Sequence, residues 1–258
     1  MTANWFFRPV RKQRPTVRLF CFPYAGASAA MFRLWPAALP DSLEMLAIQT
    51  PGRGSRFHEP AIEDMAALVA QLVPEIESHL DRPYALFGHS MGAVVAAEVA
   101  RTVSARGLPE PVLLAVSARR PPGIRDDSSP LHVLDDASFV DEIGRRYGGI
   151  PKEVLDNPDV LALLLPALRA DVKALETYRP AAHREPLGCA IAAFGGQSDR
   201  LADRRDLEAW RAQTLGSFHL QQFPGGHFYL DAQRRALLTE LTRLLSPFLL
   251  VQGEASHG

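Results

Sequence analysis

Residues 84–97 read Tyr84-Ala85-Leu86-Phe87-Gly88-His89-Ser90-Met91-Gly92-Ala93-Val94-Val95-Ala96-Ala97, which places G-x-S-x-G between a short apolar run and a longer apolar stretch. The run predicts a strand and the stretch predicts a helix, so Ser90 falls in the turn between them. This is the context of a nucleophile elbow, in which a strained backbone lifts the serine hydroxyl clear of the sheet. Gly88 and Gly92 then lie where the strand and helix backbones approach too closely for a Cβ. The alternative is a serine that only caps a helix.

Apolar runs of strand length alternate with longer helical patterns along the chain. The predicted strands are 17–22, 43–49, 84–87, 112–117, 190–194 and 218–223. Apolar residues at helical spacing, between the second and third strands and near the C-terminus, are Met65, Leu68, Val69, Leu72, Ile76 and Leu80, then Leu237, Leu238, Leu241, Leu244, Leu245 and Phe248. This repetition predicts an α/β fold with a mostly parallel, doubly wound sheet covered by helices on both faces.

One segment interrupts this alternation of strands and helices. Residues 119–184 contain helical patterns at 139–147 and 160–175 but no convincing strand. A stretch of that length exceeds a single crossover, so we expect a helical lid inserted over the carboxyl edge of the sheet. The whole chain, residues 1–258, is expected to be one domain carrying this lid, with its flexible joint at Gly148-Gly149.

The composition excludes several classes of function. The chain has 258 residues that are 47% hydrophobic, enough to bury one large core. A formal net charge of -1 provides no global field that attracts nucleic acid or an anionic membrane. No apolar run reaches the length of a membrane span, and the first residues lack the hydrophobic region of a signal peptide. We therefore expect a cytoplasmic protein that binds neither nucleic acid nor membrane.

The cysteines and histidines indicate no metal centre. Cys21 and Cys189 lie in runs that predict buried strands, so free thiols of the core are a better interpretation than a disulfide or a nucleophile. The eight histidines are scattered, and no paired Cys/His spacing is present. We expect neither a metal nor a bound cofactor.

Two residues after predicted strands fit the partners of a nucleophilic serine. A serine is a poor nucleophile at neutral pH, so it needs a base within hydrogen-bond reach and an acid that orients the base. In doubly wound hydrolases the chain order is Ser, then Asp or Glu, then His, each after a strand. Asp199 follows the strand 190–194 and His227 follows the strand 218–223. We predict that they serve Ser90 as acid and base.

Both assignments have alternatives. Asp199 is also explained as a turn residue, and His227 as a histidine of a surface loop. Asp203 and His219 are the fallback acid and base, and both fit less well. Asp203 lies inside the next predicted helix, and His219 lies within a strand.

Acyl transfer also needs backbone donors aimed at the oxyanion. We predict that the N–H of Met91, which follows the nucleophile at the helix N-terminus, is one donor. The second is expected in the loop after the first predicted strand, where small residues let the backbone approach a substrate. There we predict the N–H of Ala25, with a simple tight turn at residues 24–26 as the alternative.

Motifs spread over about residues 20–248 carry a family resemblance. They are Phe22-Pro23-Tyr24-Ala25-Gly26 with Phe32 and Trp35, Pro51-Gly52-Arg53-Gly54 with Arg56-Phe57 and Glu59-Pro60, Gly88-His89-Ser90-Met91-Gly92-Ala93, Pro224-Gly225-Gly226-His227-Phe228 and, in the insertion, Tyr147-Gly148-Gly149-Ile150-Pro151, Leu165-Pro166-Ala167-Leu168-Arg169-Ala170-Asp171 and Glu176-Thr177-Tyr178. With these motifs the chain resembles the type II thioesterases of polyketide and nonribosomal peptide biosynthesis. It departs from them at Ala27, where many members have a second glycine.

The resemblance implies an α/β-hydrolase fold with a flexible helical lid. It also implies hydrolysis, in trans, of acyl groups bound as thioesters to the phosphopantetheine arm of an acyl or peptidyl carrier protein, which removes stalled or wrongly loaded units. The family's nucleophile falls on Ser90, its acid on Asp199 and its base on His227. Its oxyanion donors fall on Ala25 and Met91. An acyl-serine intermediate is expected.

Other functions stay open on the sequence alone. One alternative is a thioesterase or esterase of soluble thioesters such as acyl-CoA, and another is a transacylase that passes the acyl group to a different acceptor. A non-catalytic interaction protein with a hydrolase fold is disfavoured, because Ser90, Asp199 and His227 are all present.

A group of arginines stands where the predicted lid begins. Arg119, Arg120 and Arg125 are close together in sequence, and carrier proteins are usually acidic. We predict that these arginines form a docking patch for the carrier. The alternative is a solvated surface of no consequence.

Overall fold

The computed structural model describes residues 5–124, 129–148, 150, 152–181 and 184–249. Within them the strands are β1 (Phe6–Phe7), β2 (Val17–Phe22), β3 (Leu43–Ile48), β4 (Tyr84–His89), β5 (Leu113–Ser117), β6 (Ala190–Gly196) and β7 (Phe218–Phe223). The helices are α1 (Met65–Glu77), α2 (Met91–Ala105), α3 (Asp136–Tyr147), α4 (Lys152–Leu155), α5 (Pro158–Thr177), α6 (Arg204–Glu208), α7 (Tyr229–Ala232) and α8 (Arg234–Leu249). Short 3-10 helices lie at Ala29–Phe32, Pro36–Ala38, Gly54–Arg56 and Ala209–Gln213.

The strands form one sheet in the order β1-β3-β2-β4-β5-β6-β7. Only β1 is antiparallel to its neighbour among the strands of the described residues, so the carboxyl ends of the other strands meet at one edge. The six predicted strands are confirmed, with β4 and β6 extending further, to His89 and Gly196. The prediction missed β1, because two residues are too few to show a periodic pattern.

Burial on both faces explains why β2 to β6 are mostly apolar, whereas β7, the last strand of the sheet, is only partly buried and has three polar residues. Successive side chains of a strand point to opposite faces. In β2, Phe20 and Phe22 enter the core that α1 and α2 cover, whereas Leu19 and Cys21 enter the core that α8 covers. Cys21 and Cys189 are buried free thiols, as the sequence predicts.

The insertion consists of α3, α4 and α5, which follow β5 and precede β6. The predicted helices are confirmed, and both begin earlier than predicted, next to a capping side chain. Asp135 accepts a hydrogen bond from the first turn of α3, and Asn157 does so for α5. A small apolar cluster, which includes Phe139 of α3 and Leu165 of α5, packs the insertion together. That the chain is a single domain with a lid stays a prediction.

Gly148, the residue of the predicted flexible joint that the structure describes, caps the C-terminus of α3. Gly148 follows α3 with φ of 64°, and its N–H donates to the carbonyl of Gly144 at 2.8 Å. This is a left-handed glycine cap of a helix C-terminus. Gly149 lies outside the described residues, as does Arg125 of the predicted docking patch.

The helices in the described part of the chain include none that is both long enough and apolar enough to span a bilayer. Even the 20-residue α5 carries charged side chains along its length, among them Asp159, Arg169, Asp171 and Lys173.

Candidate active site

Ser90 occupies the tip of a sharp turn between β4 and α2. Its backbone has φ of 53° and ψ of -114°, a conformation that residues other than glycine rarely adopt. The close approach on either side is direct: a Cβ on Gly88 would lie 2.1 Å from the carbonyl oxygen of Gly92, and a Cβ on Gly92 would lie 2.1 Å from that of Phe22. The predicted strand-turn-helix geometry is therefore present.

His227 and Asp199 lie beside this serine. His227 Nε2 is 3.0 Å from Ser90 Oγ, and His227 Nδ1 is 3.0 Å from Asp199 Oδ2. With the proton on Nδ1 donated to the carboxylate, Nε2 is left to accept from the serine hydroxyl. All three side chains are buried, with relative exposures of 5% for Ser90, 8% for His227 and 6% for Asp199. This arrangement suits proton transfer from the hydroxyl to the imidazole.

Backbone contacts between the two loops bring Asp199 to His227. The loop after β6 crosses the loop after β7, where the N–H of Ser198 donates to the carbonyl of Gly225 at 2.9 Å. The other carboxylate oxygen, Asp199 Oδ1, accepts from the N–H of Leu201 at 2.9 Å. The carboxylate is thus held by hydrogen bonds at both oxygens, which fixes the orientation of the His227 ring.

The fallback residues serve other purposes. Asp203 is not inside a helix but caps the N-terminus of α6, where it accepts from the N–H of Asp206 at 2.9 Å. His219 lies within β7 as expected, and its Nε2 is 2.9 Å from Glu240 of α8. The structure brings neither residue to Ser90.

The predicted oxyanion donors are the N–H groups of Met91, which directly follows Ser90, and of Ala25, which lines the cavity at Ser90. Met91 is the first residue of α2, so its N–H has no partner within the helix. In the loop after β2, the N–H of Gly26 donates to Asp171 at 2.7 Å and the N–H of Ala27 donates to Tyr24 at 3.1 Å. The N–H of Ala25 makes no hydrogen bond with the described residues, so it is available to a substrate. The positive φ of the turn falls on Gly26, at 79°, which explains why an alanine is tolerated at position 27.

A buried layer behind the base was missed by sequence reasoning. His89 is fully buried, and its ring centroid is 5.4 Å from that of His227. Its Nδ1 lies 2.9 Å from Ser117 Oγ, which lies 2.7 Å from the hydroxyl of Tyr229. Burial lowers the pKa of His89 well below its usual value, so this imidazole is neutral at physiological pH. The signal in the sequence was the position of His89 directly before Ser90 in the G-x-S-x-G motif.

A second missed feature is a buried ion pair between Arg53 and Asp171. Each is 4% exposed, and Arg53 Nη2 donates to Asp171 Oδ1 at 2.8 Å while Nη1 donates to Oδ2. Both residues lie in motifs that carry the family resemblance. The signal in the sequence was a charged residue within an otherwise apolar helix face.

A cavity of about 1080 Å³ opens above Ser90 and His227 and beneath the insertion. Its roof includes apolar side chains of α5, and Tyr147 of α3 places its ring 5.8 Å from that of His227. Arg119 and Arg120 also line it. Among the described residues, no cluster of three or more His, Cys, Asp or Glu side chains is arranged to hold a metal ion.

Comparison with known proteins gives a consistent result. The sequence pattern of the family described as "Thioesterase domain" matches residues 17–246. "Thioesterase PikA5" of Streptomyces venezuelae is 39% identical over 241 residues, which cover 92% of this chain and 84% of PikA5. "Linear gramicidin dehydrogenase LgrE" of Brevibacillus parabrevis is 36% identical over 251 residues, which cover 96% of this chain and 95% of LgrE.

A solved structure shows the same fold. The type II thioesterase BorB, from the borrelidin biosynthetic cluster, is 36% identical and superposes with a TM-score of 0.85, covering 93% of this chain and 97% of BorB. This likeness confirms the fold class predicted from the sequence.

Proposed function

This chain belongs to the thioesterase family and is a type II thioesterase, and from this premise we propose that Ser90, His227 and Asp199 are its catalytic triad. One observation carries the proposal. A continuous chain of hydrogen bonds, each 3.0 Å long, runs from Asp199 through His227 to Ser90, at the floor of the cavity. Nucleophile, base and orienting acid are thus within reach of one another.

The first half-reaction transfers the acyl group to the enzyme. Ser90 Oγ attacks the thioester carbonyl while His227 Nε2 takes the hydroxyl proton, and Asp199 stabilises the imidazolium. The N–H groups of Ala25 and Met91 stabilise the oxyanion of the tetrahedral intermediate. The C–S bond then breaks, and the thiol leaves with the proton that His227 returns.

The second half-reaction releases the product. Water attacks the acyl-serine while His227 again acts as base, which yields the free carboxylic acid and restores Ser90. A thiolate is a good leaving group, so proton return in the first half-reaction is less demanding than it is for an amide.

The substrates we propose are acyl groups on the phosphopantetheine arm of carrier proteins, and the proposed task is removal of stalled or wrongly loaded units. BorB, which comes from a biosynthetic cluster, supports this substrate class. The cavity supports it as well, since its volume of about 1080 Å³ lies just above the roughly 300–1,000 Å³ typical of sites for drug-sized ligands. That leaves room for an acyl chain together with the end of the arm. A cytoplasmic location stays a prediction.

The name of LgrE raises dehydrogenation as a second reaction. The loop after β2 argues against it, because it reads Pro23-Tyr24-Ala25-Gly26-Ala27-Ser28 rather than the G-x-G-x-x-G of a dinucleotide site. Hydride transfer also gives no role to a hydrogen-bonded Ser-His-Asp chain. Thioester hydrolysis gives a role to each of Ser90, His227 and Asp199.

The test offers the purified protein a panel of acyl-carrier proteins and the matched acyl-CoAs, and follows deacylation by intact-protein mass. Higher kcat/KM with the carriers supports the proposal, whereas equal or higher values with acyl-CoA favour the soluble-thioester alternative. Transfer of the acyl group to an added acceptor would indicate a transacylase. A wild-type protein that a fluorophosphonate does not label at Ser90 would indicate an interaction protein.

A further inference from the structure

Asp171 connects the insertion to the oxyanion loop, which we define as residues 24–27. This aspartate lies on α5, one turn after Leu168, and is 4% exposed. Its Oδ2 accepts from the N–H of Gly26 at 2.7 Å. Leu168 packs on the same glycine, since a Cβ on Gly26 would lie 2.9 Å from Leu168 Cδ1. Two side chains on one face of α5 therefore hold the loop.

Arg53 fixes the carboxylate from the other side. Its guanidinium donates to both oxygens of Asp171, and Arg53 Nε donates to the carbonyl of Pro51 at 3.3 Å. The planar fork of arginine matches a carboxylate and permits little rotation. Asp171 is thus held rigidly between α5 and the loop that contains Arg53.

This contact limits which amides of the oxyanion loop are free to bind a substrate. With the N–H of Gly26 bound to Asp171 and that of Ala27 bound to Tyr24, neither of these amides is available for the oxyanion, whereas the N–H of Ala25 makes no hydrogen bond with the described residues. A buried ion pair adds little net stability, because desolvation of the two charges offsets their attraction. What the pair does supply is a fixed position for the loop.

We propose that Asp171, oriented by Arg53, is a positioning residue that holds the Ala25 N–H in place for the oxyanion and so makes catalysis depend on the docking of α5. The inference rests on the proposed serine mechanism. An oxyanion donor acts through its exact placement, so a small displacement of the loop weakens transition-state binding more than substrate binding.

The test compares Asp171→Asn and Arg53→Lys with the wild type, using p-nitrophenyl acetate as substrate and a trifluoromethyl ketone as inhibitor. The ketone accepts Ser90 Oγ at its carbonyl carbon and becomes a hemiketal oxyanion, so its Ki reports on the oxyanion site. For Asp171→Asn we expect kcat to fall roughly ten- to a hundredfold, less than the roughly 10²–10³-fold that follows removal of a donor. Ki is expected to rise by the same factor, and KM to change less than threefold. Arg53→Lys keeps the positive charge but loses the planar guanidinium, so it should change kcat and Ki in the same direction by a smaller factor. If Asp171→Asn does not fold, the Arg53→Lys variant alone tests the inference.

The matched control is Glu44→Gln. Glu44 is also a buried carboxylate bound by an arginine, with Arg8 Nη2 at 2.8 Å, but it lies in β3 away from the oxyanion loop. It should lower the thermal midpoint while leaving Ki unchanged. An unchanged Ki in the Asp171 and Arg53 variants, or an equal rise of Ki in the control, would overturn the inference. A wild-type protein that neither binds the ketone nor reacts with a fluorophosphonate would instead refute the serine mechanism itself.

Discussion

The imidazole Nε2 of His227 lies 3.0 Å from the hydroxyl of Ser90, although 137 positions of sequence separate the two residues. Ser90 follows β4 and His227 follows β7, so each extends from the carboxyl end of a parallel strand. The sheet places these ends at one edge, and this brings the two distant loops within hydrogen-bond distance of each other.

Removal of the nucleophile should abolish hydrolysis without unfolding the protein. In Ser90→Ala the methyl group fits where the hydroxyl stood, so only the attacking atom is lost. We expect kcat to fall by roughly 10³–10⁶, with the remainder due to binding and the oxyanion donors. The loss of activity is measured as the rate at which an acyl-carrier protein is deacylated, which intact-protein mass spectrometry follows. A variant that keeps more than a tenth of the activity would exclude Ser90 from the mechanism.

The base should matter more than the acid. His227→Ala is expected to be as damaging as loss of the serine, whereas Asp199→Asn should leave weak activity, since the base is still present and only its orientation and the stabilisation of the imidazolium are impaired. The double variant Ser90→Ala with His227→Ala gives the decisive measurement. Its kcat should match that of the single variants, and multiplied losses would show that the two residues act independently.

The elbow should not tolerate a methyl group on its glycines. A Cβ on Gly92 would lie 2.1 Å from the carbonyl oxygen of Phe22, so Gly92→Ala must displace backbone. We expect it to lower the free energy of unfolding by about 3 kcal/mol or more. Gly144→Ala is the matched control, because a Cβ there meets no atom within 4 Å and a helix gains up to about 1 kcal/mol. Urea denaturation of both variants tests this, and equal effects would contradict it.

His89 should make the folded protein sensitive to acid. Burial lowers its pKa, so the folded state keeps it neutral, whereas the unfolded chain binds a proton below about pH 6.5. The unfolded state then holds more protons at low pH, and the free energy of unfolding falls as the pH decreases below that value. The slope from this residue is at most about 1.4 kcal/mol per pH unit. Urea denaturation between pH 7 and pH 5 should give a shallower slope for His89→Gln than for the wild type, and equal slopes would refute the assignment.

Charge reversal at the cavity should separate carrier docking from chemistry. Arg119 and Arg120 line the cavity, and we expect Arg119→Glu with Arg120→Glu to raise KM for an acidic acyl-carrier protein and to reduce its dependence on salt. Hydrolysis of a small pantetheine thioester should be unchanged. Arg243→Glu, on the exposed side of α8, is the matched control and should change neither. Equal effects on both substrates, or none on either, would mean that these arginines do not dock the carrier.

The sequence predicted those parts of the fold and site that depend on local pattern. Ser90, Asp199 and His227 each follow an apolar run in the order that a parallel sheet requires, so position in the chain was sufficient to nominate them. Their proximity in the structure agrees with that order.

The missed features depend on contacts between distant segments. Arg53 and Asp171 are 118 positions apart, and neither periodicity nor a strand end links them. The pairing of His89 with Ser117 is of the same kind, because it is set by the register of β4 against β5. Such pairs become visible only when the packing of the elements is known.

The backbone conformation of Ser90 creates a conflict between the activity of this enzyme and its thermal stability. Holding a non-glycine residue at φ of 53° and ψ of -114° costs of order 1–3 kcal/mol of conformational free energy, and glycine would largely avoid this cost. Selection for thermal resistance alone would therefore favour glycine at position 90 and discard the nucleophile. Variants obtained by such a screen should be assayed for turnover at every round.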